Sequence, residues 1–337
     1  MALPVRRGKK CFYVRVERLV ALSDMFAHAD DRVLAGGNAT ARVWPTGFEP
    51  LDEVLAGGLR AGELVLLGGA QGLGKTTFAL QLLRQIAADG GDAICFSYEL
   101  DESHLLERLS TQEAYLSAGP NAPTLQDLRT HLGSPDGERS APGLAAARAA
   151  LESYGERLSV CASSTRSTTT DVIRDLVLAA VAAGRTPVVV VDYLQKVSII
   201  SNLGEDERVT LVVEALKDLA IEVQIPVVAL VASTQAGIAP GHRLQVHELR
   251  GSSALAYEAD VILLLNEKLD VVAKHHVAYD PRSAERFRQV VVLSVEKNRS
   301  GKADIHMEFR KEFEYCRFDP AGNLVGEQLA DSRLSEE

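Results

Sequence analysis

Gly69-Ala70-Gln71-Gly72-Leu73-Gly74-Lys75-Thr76 follows the apolar run Leu64-Val65-Leu66-Leu67 and leads into Thr77-Phe78-Ala79-Leu80-Gln81-Leu82-Leu83, whose apolar residues recur at helical spacing. The eight residues match G-x-x-x-x-G-K-[ST], a loop that wraps phosphate, and they sit between a buried strand and a helix, as that loop requires. Gly69, Gly72 and Gly74 let backbone N–H groups close around phosphate oxygens. The helix that begins there, through Thr77, adds the positive end of its dipole. Lys75 is placed to reach the β- and γ-phosphates, and the Thr76 hydroxyl to hold Mg2+. At average residue usage such a string arises by chance in roughly one chain of this length per hundred, and its context makes chance rarer. The pattern implies binding of a nucleoside triphosphate.

Outward from the loop, strands and helices alternate. Strands are expected at Glu63–Gly68, Asp92–Tyr98, Arg157–Ala162, Pro187–Asp192, Pro226–Ala232 and Asp260–Leu265, several of them continuous Val/Ile/Leu runs. Such runs belong to a parallel sheet covered on both faces. A helix over Asp171–Ala183 is capped by Thr169 or Thr170 and stopped by Gly184. The Gly-, Pro- and Ser-rich stretch Gly119–Gly143 reads as loop with a short helix, and Gln289–Glu296 with Ala303–Phe309 as an antiparallel hairpin. The fold class expected is α/β: a mostly parallel, twisted sheet flanked by helices, with a C-terminal β-hairpin and a short helical N-terminal arm. Three parts are expected. Residues 1–44 are an arm, loose and basic over Met1–Lys10 and an amphipathic helix over Phe12–Val33. Residues 45–318 are the main domain, and 319–337 a weakly ordered acidic tail.

Hydrolysis needs more than a phosphate loop: a carboxylate near Mg2+, a group that activates water, and positive charge on the γ-phosphate. The strand Val188-Val189-Val190-Val191 ends in Asp192, which fits the metal-coordinating acid at a strand's C-terminal edge. Ala93-Ile94-Cys95-Phe96-Ser97-Tyr98 ends in Glu99, a second carboxylate on the same edge, suited to polarising the attacking water. Gln235 follows the strand Val227–Ala232 and is a candidate for sensing the γ-phosphate. Lys297-Asn298-Arg299-Ser300-Gly301 lies at the hairpin tip, where two cations are either solvated or act as a finger on a neighbour's nucleotide.

Taken together these stretches resemble the motor domain of the DnaB-type replicative helicases. The resemblance rests on Pro45-Thr46-Gly47-Phe48-Glu49-Pro50-Leu51-Asp52, the phosphate loop, Phe96-Ser97-Tyr98-Glu99-Leu100 and Asp192-Tyr193-Leu194-Gln195. It continues through Glu248-Leu249-Arg250, Glu258-Ala259-Asp260-Val261-Ile262 and Lys297-x-Arg299-x-Gly301, in family order from Pro45 to about Phe318. It implies a RecA-like ATPase core that assembles as a ring, usually of six, and moves on DNA. ATP would lie between subunits, with Glu99 as the catalytic carboxylate and Lys297 and Arg299 supplied in trans. It further implies central loops that grip single-stranded DNA by its backbone, with Arg250, Gly251 and Ser252 in one of them. Two departures stand out. No counterpart of the family's N-terminal collar is expected in residues 1–44, so a separate loader or collar protein becomes a candidate partner, and the arm helix a candidate subunit linker. The Gly251 position usually carries an acid in that family. Alternatives are a KaiC- or RadA-like ATPase acting in recombination or regulation without unwinding, and a non-enzymatic assembly protein.

Bulk properties constrain these readings. With 337 residues, 46% hydrophobic, the chain accommodates one large domain with an arm or two small domains. No apolar run approaches a membrane span and the N-terminus lacks the apolar core of a secretory signal, so a cytoplasmic location is expected. The net charge of −10 requires any DNA contact to come from a local basic surface. Cys11, Cys95, Cys161 and Cys316 are scattered without a C-x-x-C pair, which argues against a zinc module. His275-His276 reads as solvated loop rather than metal site.

Overall fold

In the computed structural model the described residues are 3–7, 10–14, 19–27, 42–131, 141–199, 203–235, 237, 239, 241–251, 253–273 and 281–330. His275-His276 and Ser252 lie outside them. By internal contacts the chain divides into two units, Met1–Val43 and Trp44–Glu337. The first holds an antiparallel hairpin, Leu3–Arg7 with Lys10–Val14, where a loose basic leader was expected. Val5, Phe12, Tyr13 and Val14 are β-branched or aromatic residues that favour strand over helix. Of the amphipathic helix expected over Phe12–Val33, residues 22–27 are helical, and 28–33 lie outside the described residues.

The second unit is built on one large sheet. Its strands are β1 (Leu64–Gly69), β2 (Asp92–Ser97), β3 (Leu158–Ala162), β4 (Pro187–Asp192) and β5 (Val227–Ala232). They continue as β6 (Val261–Glu267), β7 (Val290–Asn298), β8 (Ile305–Glu312), β9 (Arg317–Phe318) and β10 (Asn323–Leu324). The spatial order is β9-β8-β7-β6-β1-β5-β4-β2-β3, with β10 also paired to β8. From β6 to β3 all neighbours are parallel, while β6 through β9 pair antiparallel. Strands β1 to β7 match the expected ones to within a residue or two at each end; β8 runs on past the expected Phe309 to Glu312, and β9 and β10 add to the expected set. Alternate residues explain the continuous apolar runs: Val65 and Leu67 of β1 enter one core, Leu64 and Leu66 the other. Both faces are therefore dry.

Helices cover the two faces. Those that matter here are α1 (Lys75–Ala88), α2 (Glu102–Ala118), α3 (Leu125–His131), α4 (Leu144–Tyr154), α5 (Thr170–Ala182), α6 (Glu205–Val223) and α7 (Ala254–Glu258). The helix α5 starts as its sequence predicts, because the Thr169 hydroxyl accepts from Val172 N at 3.4 Å. On one face Phe48 stacks on Phe78 at 4.0 Å, with Phe309 and Phe318 edge-on around them. Each of these fully buried rings contributes about 1.5–3 kcal/mol of burial free energy. The cluster ties the C-terminal strands to α1. Gln81 completes the tie with two backbone bonds to Phe318, donating to its carbonyl at 3.0 Å and accepting from its N–H at 2.8 Å.

The described part of the tail departs from the expected loose acidic end. Residues 319–330 fold back: Asn323–Leu324 pairs with Glu308 and Met307, and Ala330 N donates to Val271 O at 2.7 Å. An ion pair accompanies this docking. Lys268 is 3% exposed, and its ammonium takes the carboxylates of Glu308 and Glu327, so an acid of the tail neutralises a buried cation. Among the described residues no helix is long and apolar enough to cross a membrane.

Candidate functional site

The phosphate loop leaves the end of β1 and runs into α1. Gly74 sits there at φ +88°, and a Cβ on it would lie 2.7 Å from the Phe313 and Phe318 rings, so only glycine makes this turn. The loop bounds a cavity of about 590 Å³ lined on that side by Gly69, Gln71, Gly72, Gly74, Lys75, Thr76 and Thr77. Ala70 and Leu73 instead line a smaller cavity of about 60 Å³ behind the loop. Facing the loop are Glu99, Asp192 and Arg250. The pairing of β4 with β2 aligns Asp192 with Ser97, bringing the acid that ends β4 and the acid just beyond β2 to one edge.

At the heart of the cavity the Thr76 hydroxyl donates to the Asp192 carboxylate at 2.6 Å. Asp192 is buried, which pushes its pKa up to about 6; nearby Glu99 adds to the rise, while Thr76, Lys75 and Arg108 oppose it. The Lys75 ammonium donates to the carbonyls of Gly69 at 2.7 Å and Ala70 at 2.9 Å. Burial lowers its pKa, against the opposing pull of Asp192 and Glu99. A hydroxyl and one carboxylate converging in this way suit a hard divalent cation whose other ligands are water and phosphate oxygens. Among the described residues no group of three His, Cys, Asp or Glu side chains is arranged to hold a metal by itself.

Gln235 is not brought to the cavity. It is exposed in the bend after β5, and Ala232 and Ser233 line the wall from that strand end. The reason is a short ladder: Ser233 bridges Leu249, and Thr234 N donates to Glu248 O at 2.8 Å, which turns the chain outward at Gln235. Arg250 lines the cavity yet sends its guanidinium to Glu205 at 2.7 Å, on the surface. Gly251 has φ +122°, and a Cβ there would meet Val209 at 2.7 Å. The acid usual at this position in the resembled family has no room here.

Lys297 and Arg299 stand at the other edge of the sheet. Val261 pairs with Val65 in β1 and with Asn298 in β7, so these cations lie beside the start of β1, whereas the loop leaves its end. Four strand residues at about 3.3 Å each separate the two levels by roughly 13 Å. Neither side chain lines its own chain's cavity. Lys297 donates to Ala256 O at 2.6 Å, and Arg299 to Asp260 at 3.2 Å and to the Tyr257 carbonyl.

Sequence reading missed several residues of the cavity wall: Arg108, Leu125, Tyr193, Phe313 and Cys316. Arg108 left a signal. It falls on the same helical stripe of α2 as buried Leu105, Leu109 and Gln112, and a cation on a core-facing stripe requires an anion or a cavity. Its Nε is buried without a hydrogen-bond partner. Phe313 and Cys316 left none, since they reach the cavity only because the Gln81 clamp and a 2.5 Å bond from Gln112 to the Cys316 carbonyl hold that turn.

Comparison with known proteins fits this geometry. Residues 44–319 match the family model described as the DnaB-like helicase C terminal domain. The replicative DNA helicase DnaC of Bacillus subtilis (strain 168) is 25% identical over 290 residues, covering 82% of this chain and 58% of that protein. The replicative DNA helicase DnaB of Leifsonia xyli subsp. xyli is 29% identical over 261 residues, covering 75% of this chain and 53% of the relative. The chain thus spans little more than half the length of these relatives. Among solved structures, that of a DnaB-like replicative helicase superposes with a TM-score of 0.70 at 19% identity, over 88% of this chain and 68% of that one. That likeness is one of fold, a RecA-like core. Through the match over residues 44–319, the chain belongs to the family of DnaB-like helicase C-terminal domains.

Proposed function

We propose that this chain is an ATP-hydrolysing motor that works as a ring, of six subunits as is usual for its family, and moves on single-stranded DNA in the cytoplasm. The observation that carries the reading is the 2.6 Å bond between Thr76 and Asp192 in a cavity that also holds Lys75 and Glu99. Binding, charge neutralisation and water activation are thus gathered at one sheet edge. Thr76 and Asp192 would hold Mg2+, which would supply positive charge to offset the charge developing during phosphoryl transfer.

The chain's own groups do the rest. The loop N–H groups and Lys75 hold the β- and γ-phosphates, Lys75 exchanging its bonds to Gly69 and Ala70 for phosphate oxygens. Arg108, without an anionic partner in an ion pair among the described residues, adds a second cation from within the subunit. Glu99 orients the attacking water and takes its proton as the oxygen bonds to the γ-phosphorus and the ADP oxygen leaves. Lys297 and Arg299, too far from their own cavity, serve the nucleotide of the next subunit. Arg250, at the cavity rim with its guanidinium outside, carries the DNA-facing segment with Gly251 and Ser252.

The test is steady-state ATP hydrolysis with and without single-stranded DNA at two salt concentrations. DNA stimulates turnover, and the stimulation fades steeply as salt rises. Robust hydrolysis indifferent to DNA overturns the translocase reading in favour of the regulatory, KaiC- or RadA-like one.

A further inference from the structure

Two residues beyond Asp192 the chain enters a single 3-10 turn, Leu194–Lys196. Leu194 is fully buried in the core and fixes the turn, so Gln195 has little freedom. Its side-chain oxygen accepts from Ala232 N at 3.2 Å, and its side-chain nitrogen donates to Arg250 O at 2.7 Å. Ala232 and Arg250 are also bonded to each other, Arg250 N donating to Ala232 O at 2.8 Å. One amide therefore closes a three-way junction among the segment after β4, the end of β5 and the Arg250 segment. Ala232, Arg250 and Asp192 all line the nucleotide cavity, whereas Gln195 does not. The Arg250 backbone is held inside by this junction. Its guanidinium lies outside, half exposed against Glu205, in a surface ion pair weak enough for a DNA phosphate to replace.

We propose that Gln195 is the positioning residue that couples nucleotide state to DNA grip, passing displacements of the cavity wall at Asp192 and Ala232 to the main chain of Arg250. This rests on the reading of the chain as a DNA-responsive ATPase. The chemistry explains why an amide is used. A buried site offering one N–H and one carbonyl needs a side chain with one acceptor and one donor at matched reach. Glutamate would turn an acceptor on the Arg250 carbonyl, and methionine fills the volume with neither group. By reciprocity, whatever coupling passes through the junction acts in both directions: nucleotide changes DNA affinity, and DNA changes nucleotide affinity.

The experiment compares wild type with Gln195→Met and Gln195→Glu, using the 337-residue chain and a single-stranded oligothymidine. Basal ATP turnover and nucleotide affinity stay close to wild type, while stimulation by the oligonucleotide falls about tenfold. The ratio of oligonucleotide affinity in a non-hydrolysable ATP analogue to that in ADP approaches one. A merely structural role would lower basal turnover and stimulation together and leave that affinity ratio unchanged; that result overturns the proposal. Wild type stimulated by DNA with variants stimulated equally overturns the proposal alone. Wild type unresponsive to DNA overturns the functional reading and the coupling together. Should either variant fail to fold, hydrogen exchange of wild type decides. Amides of residues 248–251 change protection between the ADP and analogue states, and identical exchange in the two states overturns the coupling.

Discussion

Replacing Asp192 by asparagine separates the cost of burying this acid from its use. Without nucleotide the carboxylate is ionised at neutral pH in a site that raises its pKa from 3.8 to about 6, chiefly through burial. Because the folded value lies above the unfolded one, the penalty is full above about pH 6, shrinks as pH falls through that value and vanishes below 3.8. A rise of this size costs the folded state about 3 kcal/mol at pH 8 and about 1.5 kcal/mol at pH 5. Asparagine does not titrate, and its side-chain oxygen keeps the bond from Thr76. The ligand-free variant is therefore more stable than wild type by about 2–3 kcal/mol at pH 8, with a gain about 1.5 kcal/mol smaller at pH 5. Urea unfolding at the two pH values in EDTA measures both. A variant no more stable than wild type at pH 8, or a gain that does not shrink at pH 5, refutes the reasoning. Mg-ATP closes the gap: at a hundredfold excess over Kd wild type gains about 2.7 kcal/mol while the variant gains little, which brings the two about level at pH 8.

Lys75→Ala abolishes nucleotide binding or turnover, and ordinary turnover in a filter-binding and hydrolysis assay would mean the cavity has been misread. Arg108→Ala weakens triphosphate binding by roughly ten- to a hundredfold, as a loss of about 1.5–3 kcal/mol for a charged hydrogen bond implies, while Arg108→Lys recovers part of it; unchanged affinity in calorimetry contradicts the assignment. Arg299→Ala leaves nucleotide binding nearly intact but lowers turnover by roughly 10³-fold or more, and loss of binding instead would mark it as structural. Gly251→Asp forces a side chain into Val209 at a strained φ and costs about 1–3 kcal/mol in denaturation, with a neutral effect showing that the Arg250 segment repacks freely.

Much of this was legible in the sequence because the controlling signals are local. The phosphate loop, the Val188–Val191 run and its terminal Asp192 are determined by neighbours a few residues away, and the strands follow from runs of apolar side chains. What escaped depends on tertiary partners. The direction of Gln235 is set by a ladder to Glu248 and Leu249, which no periodicity reveals. The docking of residues 319–330 answers a cation buried at Lys268, remote in sequence. The hairpin Leu3–Arg7 with Lys10–Val14 was obscured by basic residues that suggested a loose leader. Arg108 was readable in principle, as a cation on a core-facing helical stripe. The positions of Lys297 and Arg299 became meaningful only once the sheet register set them at the edge opposite the phosphate loop.

That separation makes the composite site the central claim, and mixing two dead variants tests it. Glu99→Ala and Arg299→Ala subunits, each nearly inactive alone, are combined in equal amounts and allowed to assemble. If Arg299 acts in trans across a head-to-tail interface, random mixing leaves about a quarter of the interfaces with both groups intact, and ATP turnover recovers toward that fraction of wild type. Mixed assemblies that regain no hydrolysis contradict a site shared between subunits.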